Sequence, residues 1–317
     1  MKILAVDDDP IILDLLTVIF GQGGFSDVEL VPSGADALKM IESHEVPFDC
    51  LIVDLNMPEM DGITLCEKVR KLPGYLTTPI IVLTARHDHL AVESAFGAGA
   101  TDYITKPFEV SDIVTRVQIA TRMVESEDTV FVVDPTTEVP GAVPGHHPFQ
   151  LSDPLQVMHV DQHTRQFSLG NYLSQLSRKK IDHCLVFAVR LEPIEYLYET
   201  GTTHEFAVAL AAVTEAINRT LGPNRLLSAY FGAGVFVCIA TTKPETPWAE
   251  IEALLQTELD SSDTRFENGK PIEMAVVVGG PVRPNASKTQ RVRRTFERAI
   301  GKLRRRPDTP GQRFGLR

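Results

Sequence analysis

The apolar residues of the first 125 positions follow two alternating rhythms. Short continuous runs at Lys2–Val6, Val28–Val31, Phe48–Val53, Pro79–Leu83 and Asp102–Ile104 predict strands. Between them, Ile11, Ile12, Leu15, Leu16 and Ile19 recur at helical spacing. Ala35–Ile41, Gly62–Arg70, Leu90–Gly97 and Val110–Met123 predict four more helices. Pro10 suits a first helical turn and Ser33 an N-cap. Five strands alternating with five helices, joined by right-handed crossovers, make a doubly wound parallel α/β sheet. The unbroken run Phe48–Val53 suits a strand covered on both faces.

After residue 125 the rhythm is lost and then changes. Pro135–Pro154 holds five prolines, two glycines and the pair His146–His147, and predicts an exposed linker. Beyond it, Gln162–Lys179 is helix-like, Cys184–Leu191 a strand and Phe206–Thr220 an amphipathic helix. Leu226–Tyr230 and Val235–Ala240 flank Gly232-Ala-Gly234 as a hairpin would. Trp248–Leu259 reads as a helix, Ile272–Gly279 as a strand and Thr295–Arg305 as a basic helix. That order predicts an α+β domain, its antiparallel or mixed sheet carrying helices on one face. The expected division is 1–125, a connecting region 126–158, and 159–317.

Composition narrows the class. With 43% hydrophobic and 23% charged residues among 317, two ordinary domains can each bury a core. No apolar run approaches a bilayer span, and acidic residues follow the first strand too early for a secretory signal, so a cytoplasmic protein without membrane contact is expected. Cys50, Cys66, Cys184 and Cys238 lack paired or metal-ligand spacing and read as small buried hydrophobes. Residues 1–125 hold 20 acidic and 9 basic side chains, so the entire formal charge of −11 lies there. The remainder is balanced, with ten Lys/Arg against two acids in 291–317. Only that tail could meet a polyanion. It carries no legible helix-turn-helix, so nucleic acid is not an expected partner.

Chemistry gathers where the strands of such a sheet end, the usual ligand position in open α/β folds. Asp7, Asp8 and Asp9 follow the first strand, Asp54 the third, Thr84 the fourth and Lys106 the fifth. Converging carboxylates repel unless a hard cation joins them, and Mg²⁺ takes few protein oxygens and leaves positions for phosphate. A lysine and a threonine opposite can hold developing phosphate charge.

Val6-Asp-Asp-Asp-Pro10, Asp54-Leu-Asn-Met-Pro58 with Asp61-Gly62, Leu83-Thr-Ala85 and Asp102-Tyr-Ile-Thr-Lys-Pro-Phe108 resemble the response-regulator receiver family, whose fold is flavodoxin-like. The resemblance implies that Asp54 accepts a phosphoryl group from a sensor histidine kinase or phosphotransfer protein. It implies Mg²⁺ held by Asp8, Asp54 and the Asn56 carbonyl, with Asp7 helping through water. Thr84 and Lys106 would bind phosphoryl oxygens, and Tyr103 would rotate inward as Thr84 moves. The face formed by helix 90–97, strand 102–104 and helix 110–123 commonly pairs receivers in this family, so a phosphorylation-dependent homodimer is expected.

Residues 155–317 resemble, in order and size, the GGDEF family of diguanylate cyclases. Asp161 and Thr164 fit its leading helix, Phe231-Gly-Ala-Gly-Val-Phe236 its signature hairpin, and Arg298-Ala-Ile-Gly-Lys302 with Gly311–Phe314 its end. The departures are chemical. Gly234 and Val235 replace the hairpin acids and Arg190 the strand-end metal aspartate, leaving Glu192 nearby. Tyr198 and Ala207 stand near the guanine-reading positions, and Pro223 and Leu226, with Arg225 between them, where product inhibition is read. Without metal-ligating acids GTP turnover fails. A catalytically silent GGDEF-like module that makes protein contacts to an unknown downstream partner is therefore expected. A nucleotide-binding module that has lost catalysis and a cyclase with residual activity through Glu192 are the alternatives.

Overall fold

The computed structural model describes residues 1–85, 89–125, 130–222, 226–242, 244 and 246–303, with the side chains of His89, Glu125 and Lys288 also left aside. The first domain is β1 (Ile3–Val6), α1 (Pro10–Gly23), β2 (Val28–Val31), α2 (Gly34–Ser43), β3 (Cys50–Asp54), α3 (Gly62–Val69), β4 (Ile80–Ala85), α4 (His89–Gly97), β5 (Asp102–Lys106) and α5 (Val110–Glu125). Its five strands are parallel in the order β2-β1-β3-β4-β5. All five residues of β3 are buried, as its apolar run requires of a central strand. One face packs α2, α3 and α4 through Ala37, Leu65, Val69 and Ala95. The other packs α1 and α5 through Leu16, Ile19, Phe20, Ile113 and Val117. Asp9, Ser33 and Asp61 cap α1, α2 and α3 by accepting backbone N–H bonds, each contributing about 1 kcal/mol.

The connecting region is more ordered than its prolines suggested. Strands β6 (Phe131–Val133) and β7 (Leu155–Val157) pair in parallel, and the chain between them lies on the second domain. Phe149 is buried there. His147, expected in an exposed loop, is half-buried against Tyr198, its ring nitrogens bonded to Thr203 Oγ1 at 3.0 Å and the Tyr198 carbonyl at 2.8 Å. His146 does remain exposed. The two successive histidines thus face different surroundings, which a sequence pair does not reveal.

The second domain runs α6 (Gln166–Gln175), α7 (Arg178–Ile181), β8 (Leu185–Glu192), α8 (Ile194–Thr200), α9 (Thr203–Leu221), β9 (Leu226–Tyr230), β10 (Val235–Ala240), α10 (Trp248–Asp260), β11 (Ala275–Val278) and, after a 3₁₀ turn, α11 (Arg291–Ile300). The expected helix 162–179 is thus two, broken at Leu176–Ser177. The sheet is antiparallel, in the order β11-β8-β10-β9. Helices cover both faces rather than one: α9 and α10 pack on Phe187, Val189, Phe236 and Cys238, while α6 and α11 pack on Val186, Val237 and Ile239. Strands apolar on both faces demand that double cover. All four cysteines are free and buried. No described helix is long and apolar enough to cross a membrane.

The two domains share a core. Val92 and Phe96 of α4 lie in one cluster with Leu169, Tyr172 and Leu173 of α6, and Tyr103 of β5 packs against it. Polar contacts ring this apolar centre. Tyr172 donates to Glu93 at 2.7 Å, Asn171 donates to the Thr101 carbonyl at 3.2 Å, and Gln175 donates to Asp102.

Candidate functional site: a carboxylate cluster at the ends of β1, β3 and β5

The parallel sheet brings Asp7, Asp54, Thr84 and Lys106 to one edge. Asp54, the last residue of β3, is only 4% exposed and Asp7 fully buried. Asn56 donates its backbone N–H to Asp54 Oδ2 at 2.7 Å, and Asp9 donates to Asp7 Oδ1 at 3.0 Å. Lys106 Nζ lies between the two acids, 2.6 Å from Asp54 Oδ1 and 2.7 Å from Asp7 Oδ2. Position 62 must be glycine for the end of β3 to exist as it does, because a Cβ there would overlap the Asp54 carbonyl oxygen. That close approach seats the N-terminus of α3, capped by Asp61 at 2.7 Å, beneath the acid.

Electrostatics follow from this packing. Burial pushes the Asp7 carboxyl up, against the hydrogen bond from Lys106 that favours its charged form. Burial also works to lower Lys106, but its hydrogen bonds to Asp54 and Asp7 prevail and hold it above its ordinary value. One amine against Asp7, Asp54 and the exposed Asp8 leaves an excess of negative charge open to a cation. Among the described residues no three His, Cys, Asp or Glu side chains converge tightly enough to enclose a metal alone. The donor set therefore suits an ion that keeps waters and takes few protein oxygens, as Mg²⁺ does. Thr84 is 1% exposed, and among the described residues its hydroxyl makes a long 3.4 Å bond to the Ala85 carbonyl.

Tyr103 lies on β5, three residues before Lys106 of this cluster. It is half-buried, edge-on to Phe96 with ring centroids 6.1 Å apart, and burial raises its phenol to about 12. Phe96 in turn meets Tyr172 of the second domain edge-on at 5.5 Å. The residue expected to switch thus touches the interdomain core. Sequence reasoning did not find Glu93, Tyr172 or Asp102 as interface residues; Glu93 was a lone acid in an apolar helix and carried no signal of its partner.

Among the described residues the second domain offers no comparable cluster. Arg190 holds Glu192 through two bonds of 2.9 and 2.6 Å. At the β9–β10 turn, Gly232 adopts a left-handed φ of +89°, and a Cβ there would overlap the Ser152 carbonyl oxygen. Ala233 donates to the Leu151 carbonyl at 2.6 Å, Tyr198 donates to the Phe149 carbonyl at 2.7 Å, and Gly145 donates to the Gly201 carbonyl at 2.9 Å. Residues 145–153 accordingly fill the groove between α8 and the hairpin. The basic end is also less open than its sequence. Arg291 is buried and donates to the Ser174 and Leu176 carbonyls, and Arg293 pairs with Glu297. Pro223, Arg225, Arg304–Arg306 and Gly311–Phe314 lie outside the described residues.

Comparisons with known proteins fall on the first domain. The response regulator receiver domain family matches residues 3–118. The DNA-binding response regulator MtrA of Mycolicibacterium smegmatis is 36% identical over 126 residues, 40% of this chain and 53% of that protein. The histidine-protein kinase BarA of Escherichia coli is 35% identical over 142 residues, 43% of this chain and 15% of the kinase. The chain therefore spans about half of one relative and a small part of the other. Among solved structures, the receiver domain of a histidine kinase from Syntrophus aciditrophicus is 31% identical, covering 41% of this chain and 97% of that one, with a TM-score of 0.37. A sensor kinase receiver from Pseudomonas aeruginosa, with magnesium in its active-site cleft, is 28% identical over 39% of this chain and 98% of that one, with a TM-score of 0.35. The family match ends before the second domain, and within it the strand-end acids and lysine fall where they are needed: residues 3–118 are a response regulator receiver domain.

Proposed function

We propose that this protein is a two-component response regulator in which phosphorylation of Asp54 loosens the docking of a catalytically silent second domain and so changes what the protein contacts. The observation that carries the reading is the chain of ring contacts from β5, the strand that supplies Lys106, to the interface: Tyr103 against Phe96, and Phe96 against Tyr172. Asp8, Asp54 and the Asn56 carbonyl would hold Mg²⁺, with Asp7 acting through water. The ion supplies charge neutralisation for phosphoryl transfer from a histidine kinase or phosphotransfer protein. A phosphoryl group adds about −1.5 to −2 charge and three acceptor oxygens. It competes with Asp7 for Lys106 and offers the poorly bonded Thr84 hydroxyl a better acceptor. Tyr103 then follows Thr84 inward and leaves the aromatic contact with α4. The α4 and β5 part of the face expected for receiver pairing is covered here by α6, so a homodimer through that part and the intramolecular docking exclude each other.

Enzymatic output is disfavoured by the second domain's chemistry. On its resemblance to cyclases, the hairpin acids are Gly234 and Val235, Glu192 is held by Arg190, and residues 145–153 occupy the groove beside the hairpin. The same filled groove speaks against nucleotide binding there. Two assays test this reading. Acetyl phosphate with Mg²⁺ should phosphorylate the protein at Asp54, and GTP with Mg²⁺ should give no cyclic dinucleotide. Turnover abolished by Glu192→Ala would overturn the silent-domain reading.

A further inference from the structure

A second site lies on the opposite rim of the interdomain contact. The ends of α3 and α4 face the N-terminus of α6 across a cavity of about 90 Å³, lined by Arg70, Arg165, His163, Ser168 and the exposed His159. Arg70 donates to the Gly99 and Tyr75 carbonyls, and Arg165 donates to the Leu76 and Thr77 carbonyls. Neither guanidinium has a carboxylate within ion-pair distance among the described residues. Burial pulls both below their ordinary range, Arg70 to about 9 and Arg165 to about 10, and Arg165 is close enough to lower Arg70 further. Two cations sharing a desolvated space without a counter-charge are costly.

The neutral groups of the cavity point the same way. His163 is 2% exposed; its Nδ1 meets Ser228 Oγ at 3.3 Å, and its Nε2 is buried with no hydrogen-bond partner among the described residues. Burial lowers its pKa to about 4, so near neutral pH it is an uncharged imidazole with one end unsatisfied. Arg165 is the N-cap of the ten-residue α6, whose first amides and dipole favour an anion, and the buried Ser168 adds a hydroxyl within its first turn. The space takes a group the size of one small tetrahedral oxyanion or a few waters.

We infer that this cavity is a binding site for inorganic phosphate or an oxyanion of its shape, bridging Arg70 of the receiver and Arg165 of the second domain with His163 Nε2 as a further donor. The ligand would neutralise both guanidiniums and pin the two domains together at the edge opposite Glu93. By linkage, an anion held across the interface stabilises the docked state in proportion to its occupancy.

Calorimetric titration of inorganic phosphate into the full chain, at constant ionic strength with chloride and without Mg²⁺, tests this. One saturable site per chain is expected, with sulfate competing and a bulky phosphomonoester failing to compete. Arg165→Gln should weaken binding at least about tenfold, the equivalent of one charge-assisted hydrogen bond. Because that variant also loses contacts to Leu76 and Thr77, Ser168→Ala is the second probe; it should weaken binding severalfold with an unchanged melting temperature in chloride. Affinity should be the same in Asp54→Asn, which separates this cavity from the receiver's own phosphoryl site. Absence of saturable heat in the millimolar range means a water-filled pocket and overturns the inference. Competition by the phosphomonoester, or equal affinity in both cavity variants, overturns it as well.

Discussion

At the carboxyl end of β3, two buried acids, an exposed acid and a lysine converge with a hydroxyl and a backbone amide around an accessible edge. At the β9–β10 hairpin, glycines stand instead, Glu192 is held by an arginine, and the protein's own chain lies in the groove. Both lie at the ends of strands. The difference lies in charge: uncompensated acids attract a cation, whereas charges already paired do not. On the proposed function, the receiver is the part that changes state and the second domain the part that is held or released.

The largest expected effect falls on the first of these regions. Asp54→Asn should abolish labelling by acetyl phosphate; a variant that still labels to the wild-type level would move the acceptor elsewhere. For the second region, Phe149→Ala tests whether 145–153 is structural filling or a spacer. A buried aromatic in a packed groove costs about 3–5 kcal/mol when truncated, while a spacer residue costs almost nothing, and denaturant midpoints decide between them.

Acid should act on the region between these two. His163 has a folded pKa of about 4, against an ordinary value near 6.5 when unfolded. Above pH 6.5 neither state binds the proton and the contribution to stability is complete. As pH falls from 6.5 to 4 the unfolded chain takes up a proton that the folded one refuses, and roughly 3 kcal/mol is lost. His163→Phe should flatten this part of the stability profile. A profile equally steep in the variant would remove His163 as its cause. The smallest effect expected is that of Tyr172→Phe. It leaves the buried Glu93 without its 2.7 Å donor, at a cost of about 1–3 kcal/mol read as a lower melting temperature of the full chain. An unchanged melting temperature would mean that Lys180, 4.0 Å from Glu93, carries the pairing.

Much of the receiver was legible because its signals are local. A continuous apolar run ending in Asp54, Asp61-Gly62 and Lys106-Pro107 each report their own neighbourhood, and strand order supplies the rest. The second domain's element order was also legible from period alone. The α8 helix was missed because seven residues between a strand and a long helix give too little period. Helices on both sheet faces were legible in principle from the apolar strand β8. What sequence could not reveal was partnership across long separations: Tyr172 with Glu93, Arg165 with Leu76, and Phe149 within the aromatic group of Tyr198 and Phe206. Such pairs depend on how two finished domains meet, and no local pattern encodes that.

The claim that Asp54 governs the docking of the second domain is tested most directly by amide hydrogen exchange with and without beryllofluoride and Mg²⁺. Exchange should rise in α6 and α4 when Asp54 is loaded, since these helices form the shared core with Phe96 and Tyr172, and it should not rise in Asp54→Asn. Unchanged protection of α6 in a fully loaded receiver would contradict the account.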